Sequence, residues 1–223
     1  MKLLLTAFEP FGGETVNPAQ EAVRLLPEQL GSVTIVKCDV PTVFGRSAKV
    51  VTDAIALHRP DAVLCIGQAG GRGSLTPERV AINLDDASIP DNAGDQPVDR
   101  VIYPDGPSAY FATLPVKAMV SAIRDAGLPA NVSYTAGTYV CNHLMYSVLY
   151  TLEKDYPGVQ GGFLHVPFIP SQVKDASTPS MPLEDIVKGI EAAIKAIESC
   201  KTAPVHSRDI IHDRAGSAEN GLA

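Results

Sequence analysis

No run of lysine or arginine occurs anywhere in the sequence: 18 basic residues stand against 25 acidic ones, for a formal charge of −7. Contacts to phosphate need a basic stripe, so nucleic acid is excluded as an expected partner. Long apolar runs are absent too. The N-terminal MKLLLTAFEPFGG reaches Glu9 after too few apolar residues for a signal-peptide core, and no later stretch could cross a membrane. A soluble, cytoplasmic protein with no membrane partner is therefore expected. Cysteine is scarce: Cys38, Cys65, Cys141 and Cys200 form no C-x-x-C pair and no Cys/His grouping with zinc-finger spacing. A disulfide framework, structural zinc and thioredoxin-type redox chemistry are all disfavoured. No metal and no organic cofactor is implied.

What is present describes one domain. A chain of 223 residues, 45% hydrophobic and 19% charged, can bury a sizeable core but is short of material for two full domains. KLLLTAF, VTIVKCDV, AVLCIG, VSYTAG and GGFLHV have the apolar and β-branched character of strands. Between them the spacing predicts helices: from Asn17-Pro18 to about Leu30, over RSAKVVTDAIALH, over VKAMVSAIRDAG, over NHLMYSVLYTLEK, and over LEDIVKGIEAAIKAIES. In the last of these, Leu183, Ile186, Val187, Ile190, Ile194 and Ile197 share one face. From Gln68 to about Pro107 the periodicity disappears, which marks a functional loop or a hairpin excursion. The domain is expected over residues 1–202. Residues 203–223, which lack periodicity, are expected to form a flexible or partner-docked tail.

Strands alternating with helices imply a mostly parallel, twisted sheet covered on both faces. Ligands in such sheets bind beyond the carboxyl ends of the strands. Here those ends are followed by AFEPFGG, DVPTVFG, IGQAGGRG, GTYVC and LHVPFIP. Cys141 stands at an expected strand-to-helix turn, where unpaired N–H groups and the helix dipole favour a thiolate. His143 is a poor base for it, because two residues along a helix turn the side chains roughly 200° apart. Of the other histidines, His58 suits a helix C-terminus, and His206 and His212 fall in the tail. His165 ends a strand on the expected site edge, where it is as compatible with a base as with a core histidine bonded to backbone groups. A base needs an orienting group, and Glu78, Asp85, Asp86 and Asp91 all offer a carboxylate in the irregular segment.

Four blocks carry a resemblance: FEPFGG with NPA (8–19), GQAGGR to PERVAINLDDASIPDN (67–92), TYVCNHLMY (138–146) and GGFLHVPFIPSQ (161–172). Together, and in this order, they resemble pyroglutamyl peptidase type I, also called pyrrolidone-carboxylate peptidase. The likeness runs from about residue 2 to about residue 199. Membership would imply a single-domain open α/β/α sandwich, often assembled as a homotetramer, and a cysteine peptidase that removes N-terminal pyroglutamate from small peptides. It implies a triad of Cys141 as nucleophile, His165 as base and Glu78 as orienting carboxylate. It also implies a pocket drawn from Phe8, Phe11, Asn17, Gln68, Ile89, Tyr139, Val140 and Met145. Several of these have simpler roles open to them: Asn17 is a good helix cap, Ile89 and Val140 are credible core, and Met145 suits helix packing.

One departure stands out. Residue 88, in DDASIPDN, is serine where arginine is common in the family, and a serine supplies no positive field near the thiol. Arg72 or Arg79 could take that part. Rival readings are a thiol hydrolase of another small amide, and a catalytically weak relative that only binds pyroglutamyl peptides. A phosphate-binding module is suggested by GQAGGRG, but that run fits neither G-x-G-x-x-G nor a P-loop.

Overall fold

The computed structural model describes residues 1–175 and 177–202. The expected tail, 203–223, lies outside the described residues. The chain runs β1 (Lys2–Phe8), α1 (Pro18–Leu25), β2 (Gln29–Leu30), β3 (Val33–Val40), α2 (Arg46–His58), β4 (Ala62–Gln68), β5 (Thr76–Pro77), β6 (Val80–Ile82), β7 (Ala109–Phe111), α3 (Val116–Asp125), α4 (Val140–Asp155), β8 (Gln160–Val166), a 3-10 turn over Pro170–Gln172, and α5 (Leu183–Thr202). Six strands form one sheet in the order β2-β3-β1-β4-β8-β5. The central pairs β3/β1, β1/β4 and β4/β8 are parallel, and the short edge strands β2 and β5 pair antiparallel.

Alternation along the strands builds two cores. Leu3, Leu5 and Ala7 of β1 face the same side as Leu64, Ile66, Leu164 and Val166, and are covered by α1, α3 and α5 through residues such as Val23, Met119, Ile123, Ile190 and Ile194. Leu4 and Phe8 face the other side with Val63, Cys65 and Phe163, beneath Val51 and Ile55 of α2 and Leu144, Val148 and Leu149 of α4. β4 is buried along its whole length, which is why it reads as continuously apolar rather than alternating. This is the expected open α/β/α sandwich. No helix among the described residues is long and apolar enough to cross a membrane.

Two local expectations fail, each for a physical reason. Helix α1 stops at Leu25 instead of running to Leu30: Leu26 leaves the helical region with ψ 146°, because Pro27 clashes with an α conformation of the residue before it. VSYTAG is not a strand. Only single bridges, Leu75 to Ala130 and Glu78 to Ser133, reach this part of the chain, since β5 already occupies the free edge of β8. The irregular segment does contain an excursion, the small antiparallel pair of β6 with β7.

Candidate active site

No strand precedes Cys141, so the expected route to the sheet edge is replaced by another. Cys141 is the second residue of α4, and that helix lies over β4 and β8. In the parallel register Gly67 of β4 is directly opposite His165 of β8, so both residues present the same face. A methyl group built on Gly67 would stand 3.1 Å from Cys141 Sγ and 2.8 Å from the Phe163 ring. The thiol therefore sits above the strand position beside His165, in room that only glycine leaves. The Phe163 ring lies against the His165 ring, with centroids 4.7 Å apart.

The carboxylate arrives from the sheet edge. β5 runs antiparallel to β8, and the next residue, Glu78, donates its N–H to the Phe163 carbonyl at 2.9 Å. That register turns the Glu78 side chain to the face carrying Phe163 and His165. His165 Nδ1 lies 2.7 Å from Glu78 Oε1. Since an ionised carboxylate only accepts, the imidazole proton sits on Nδ1 and Nε2 is left as the acceptor. Arg72 Nη1 donates to the same Glu78 Oε1 and to Thr76 Oγ1, each at 2.7 Å, while Nη2 reaches the Thr135 carbonyl at 3.3 Å. Glu78 is fully buried, and its Oε2 meets no hydrogen-bond partner at bonding distance among the described residues.

Charge is distributed accordingly. Burial pushes the Glu78 carboxyl up, but the hydrogen bond and charge of His165, then Ser133 and Arg72, outweigh it and hold the group below its ordinary value. Burial lowers His165, against the opposing pull of Glu78. Cys141 corrects an expectation: burial, then the Glu78 charge, push the thiol up to about 12, with Arg72 opposing. The helix N-terminus thus acts on a sheltered group, and desolvation wins. Both shifts favour the uncharged forms of thiol and imidazole. Arg72, already named as a stand-in for an arginine at the exposed Ser88, is the cation that acts on the thiol. Helix α4 has no side-chain cap, and its first main-chain bond runs from His143 N–H to the Tyr139 carbonyl. The earlier N–H groups, that of Cys141 included, remain available to an anion at the turn.

The expected pocket residues fall into two groups. Phe8 is buried 6.4 Å from Phe163, centroid to centroid. Phe11 and Tyr139 are partly buried with rings 5.9 Å apart, and the Tyr139 hydroxyl donates to the Pro90 carbonyl. Ile89 is 41% exposed, with Cδ1 near the backbone of Gly12. Gln68, at the end of β4, is buried. These line the carboxyl edge of the sheet. Asn17, Val140 and Met145 are committed to the fold. Asn17 Oδ1 accepts from the Ala19 N–H as the cap of α1, and its Nδ2 donates to the Glu9 carbonyl. Val140 and Met145 pack in the core beneath α4.

Several contributors carry no motif of their own. Gly67 and Phe163 read as ordinary strand residues, and only the β4/β8 register reveals them. His143, set aside as a base, bonds Asp85 through Nδ1 at 3.0 Å, while its Nε2 accepts the Gly45 N–H at 3.0 Å. Asp85, which the sequence left level with Glu78, is thereby spent on a structural pair. Among the described residues no cluster of His, Cys, Asp and Glu could hold a metal ion.

Comparison with known proteins identifies the family. The family model for pyroglutamyl peptidase matches residues 1–200. The pyrrolidone-carboxylate peptidase of Levilactobacillus brevis is 60% identical over 198 residues, covering 88% of this chain and 97% of that protein. Its counterpart from Streptococcus suis is 59% identical, covering 88% and 92%. Among solved structures, pyroglutamyl peptidase I of Bacillus amyloliquefaciens superposes with a TM-score of 0.86 at 50% identity, covering 89% of this chain and 97% of that one. A mutant pyrrolidone carboxyl peptidase from Pyrococcus furiosus gives 0.86 at 36% identity, covering 89% and 99%. A match over nearly all of the described fold, together with relatives this similar, means that the chain belongs to the pyroglutamyl peptidase family.

Proposed function

We propose that this chain is a cysteine peptidase that hydrolyses the bond after an N-terminal pyroglutamyl residue, with Cys141 as nucleophile, His165 as general base and acid, and Glu78 as its orienting carboxylate. The observation that carries the assignment is one geometry: a thiol above Gly67, beside an imidazole whose Nδ1 is held 2.7 Å from a fully buried carboxylate.

With burial holding the thiol toward its uncharged form, attack begins with transfer of its proton to His165 Nε2. The sulfur then bonds to the carbonyl carbon of the pyroglutamyl peptide bond, and the oxyanion is held at the start of α4 by the Cys141 N–H. His165 returns the proton to the departing amine as the C–N bond breaks, leaving a thioester. Water, deprotonated by the same imidazole, displaces the sulfur and releases free pyroglutamate. Glu78 and Arg72 keep the imidazole's tautomer and orientation through the cycle. The lactam is neutral, compact and without an α-amine, so apolar walls from Phe8, Phe11 and Tyr139 with one amide from Gln68 suit it.

The proposal places the protein in the cytoplasm, where a thiol stays reduced, as one domain over 1–202 with a C-terminal tail. It also includes self-association, in keeping with exposed apolar side chains such as Val98 and Phe111. The decisive test is release of a fluorescent amine from a pyroglutamyl amide under reducing conditions. Wild-type turnover that vanishes in Cys141→Ser, Cys141→Ala and His165→Ala is expected. A folded, reduced wild type without turnover would leave a binding role instead.

A further inference from the structure

Gln172 ends the 3-10 turn that follows β8 and takes no part in the proposed chemistry. Its amide is nevertheless held firmly by main-chain groups. The Ile169 N–H donates to Gln172 Oε1 at 3.2 Å, and Gln172 Nε2 donates to the Val16 carbonyl at 3.2 Å. One of these backbone groups can only donate and the other can only accept, so the amide has a single satisfactory orientation. The same Nε2 donates to Gln68 Oε1 at 3.0 Å. The carbonyl end of the Gln68 amide is thereby occupied.

Gln68 itself is 8% exposed. Its Nε2 makes no hydrogen bond to any described residue and keeps some contact with solvent, so this donor stands open to an acceptor that enters at the sheet edge. Gln68 ends β4 at the carboxyl edge of the sheet, next to the Gly67 that Cys141 covers. The pyroglutamyl ring brings one strong acceptor to that edge, its lactam carbonyl oxygen.

We infer that Gln172 is a specificity-setting positioning residue: it fixes the Gln68 amide so that its NH2 end is presented to the lactam carbonyl of the substrate. This rests on the pyroglutamyl peptidase assignment above. Gln172 acts through Gln68 and does not touch the ring. A prolyl ring, which lacks the carbonyl, leaves the Gln68 donor unpaired and is rejected for that reason. The main-chain bonds that set Gln172 come from β8's exit and from the loop before α1, so the two segments around the pocket jointly decide which end of Gln68 faces the ligand.

The test is a double-mutant cycle. In Gln172→Glu the new carboxylate still accepts from Ile169 but can no longer donate. Gln68 then turns its NH2 toward residue 172 and shows its oxygen to the lactam oxygen. For the pyroglutamyl amide kcat/KM should fall about 10- to 100-fold, chiefly through KM, as expected when a buried hydrogen bond is replaced by a mismatch. In a Gln68→Ala background the same substitution should cost less than about threefold, because coupled residues are not additive. Gln172→Met, of similar length and without a donor, should show the same dependence on Gln68 and guards against a folding defect peculiar to the charged variant. Calorimetric titration of the four proteins of the cycle with 2-pyrrolidone repeats it without catalysis. Equal losses in both backgrounds, or 2-pyrrolidone affinity indifferent to Gln172, would overturn the inference. Absence of wild-type amine release alone would overturn the peptidase assignment instead, since the calorimetric cycle still reports on Gln172.

Discussion

Gly67→Ala is the substitution that most directly probes how the thiol and imidazole are brought together. The added carbon would stand 2.8 Å from the Phe163 Cζ, and 3.1 Å from both Phe163 Cε1 and Cys141 Sγ. Ordinary carbon contacts begin near 3.5 Å, so the ring must retreat by roughly 0.7 Å and the sulfur by several tenths. Phe163 cannot retreat alone, because its ring rests on His165. Overpacking of this kind costs about 1–3 kcal/mol, which in a chain of this size lowers Tm by roughly 4–8 °C for the middle of that range. The catalytic effect should be larger in proportion: a misplacement approaching 1 Å costs on the order of 100-fold in rate. In the amine-release assay kcat should fall by about that factor with KM nearly unchanged, and alkylation of Cys141 by iodoacetamide should slow. Gly161→Ala is the control. Its added carbon meets Leu152 Cδ1 at 2.6 Å, the far end of a flexible side chain in the core. It should lose stability while keeping kcat within about threefold, as a packing change away from the reacting atoms does. Wild-type kcat in a folded Gly67→Ala protein would refute the placement of Sγ over β4.

Further outcomes follow from the same geometry. Arg72→Met leaves Glu78 with one cation fewer, so its carboxyl rises toward or above its ordinary value; the acid limb of the kcat/KM profile should move to higher pH, and Arg72→Lys should restore part of the shift. Cys65 and Cys141 are both pushed up to about 12 from an ordinary 9.0, so their stabilisation is complete below pH 9.0 and is lost as pH rises toward 12. Denaturant titrations should show up to about 1.4 kcal/mol lost per pH unit per thiol in that window, with Cys65→Ala removing one share. Glu78 and His165 are both depressed. Their stabilisation is present above the ordinary 4.5 and 6.5, and Tm should fall as pH drops below 6.5, less so in His165→Phe. His143→Ala leaves the Gly45 N–H without its acceptor and the buried Asp85 carboxylate with Arg100 alone, and should cost about 1–3 kcal/mol of stability by urea titration while cleavage persists.

The legible part of this molecule is the part governed by local patterning. β1, β4 and β8 fall within a residue or so of their expected bounds because strands buried on both faces of a parallel sheet are apolar almost throughout, and β3 does so with a more mixed pattern in which Thr34 and Asp39 are exposed. Helix α5 shows its buried face, Ile186, Ile190, Ile194 and Ile197, in its spacing alone. VSYTAG has strand chemistry but no free edge to pair with, and pairing is a property of the whole sheet. Likewise no local feature says that Gly67 will stand opposite His165, or that Glu78 rather than Asp85 will meet the base. The proposed triad is reachable by resemblance, and Arg72 is one of two arginines the sequence offers as the nearby cation. That Arg72 bonds Glu78, and that Gly67 and Phe163 shape the site, depends on register and is not legible locally. The direction of the Cys141 shift was missed for the same reason, since burial is set by the elements that close over a residue.

His143 shows how little of a base's character lies in its carboxylate. The chain builds the arginine–carboxylate–histidine chain twice. Arg72, Glu78 and His165 form one, with Nδ1 at 2.7 Å from the carboxylate; Arg100, Asp85 and His143 form the other, with Nδ1 at 3.0 Å. Both imidazoles carry their proton on Nδ1 for the same reason, and both carboxylates are buried. The difference is at the far nitrogen. His143 Nε2 is filled by the Gly45 N–H, which stands at the N-terminus of α2 with φ 68°, so the ring is a completed strut between two helices. His165 Nε2 has no partner among the described residues, and its residue pairs with Gly67, over which the thiol lies. An unfilled acceptor, not the possession of a carboxylate, therefore separates the proposed base from a strut here. Cys141 and His143 are neighbours on one helix, yet each is matched to a different carboxylate system, one open to chemistry and one closed.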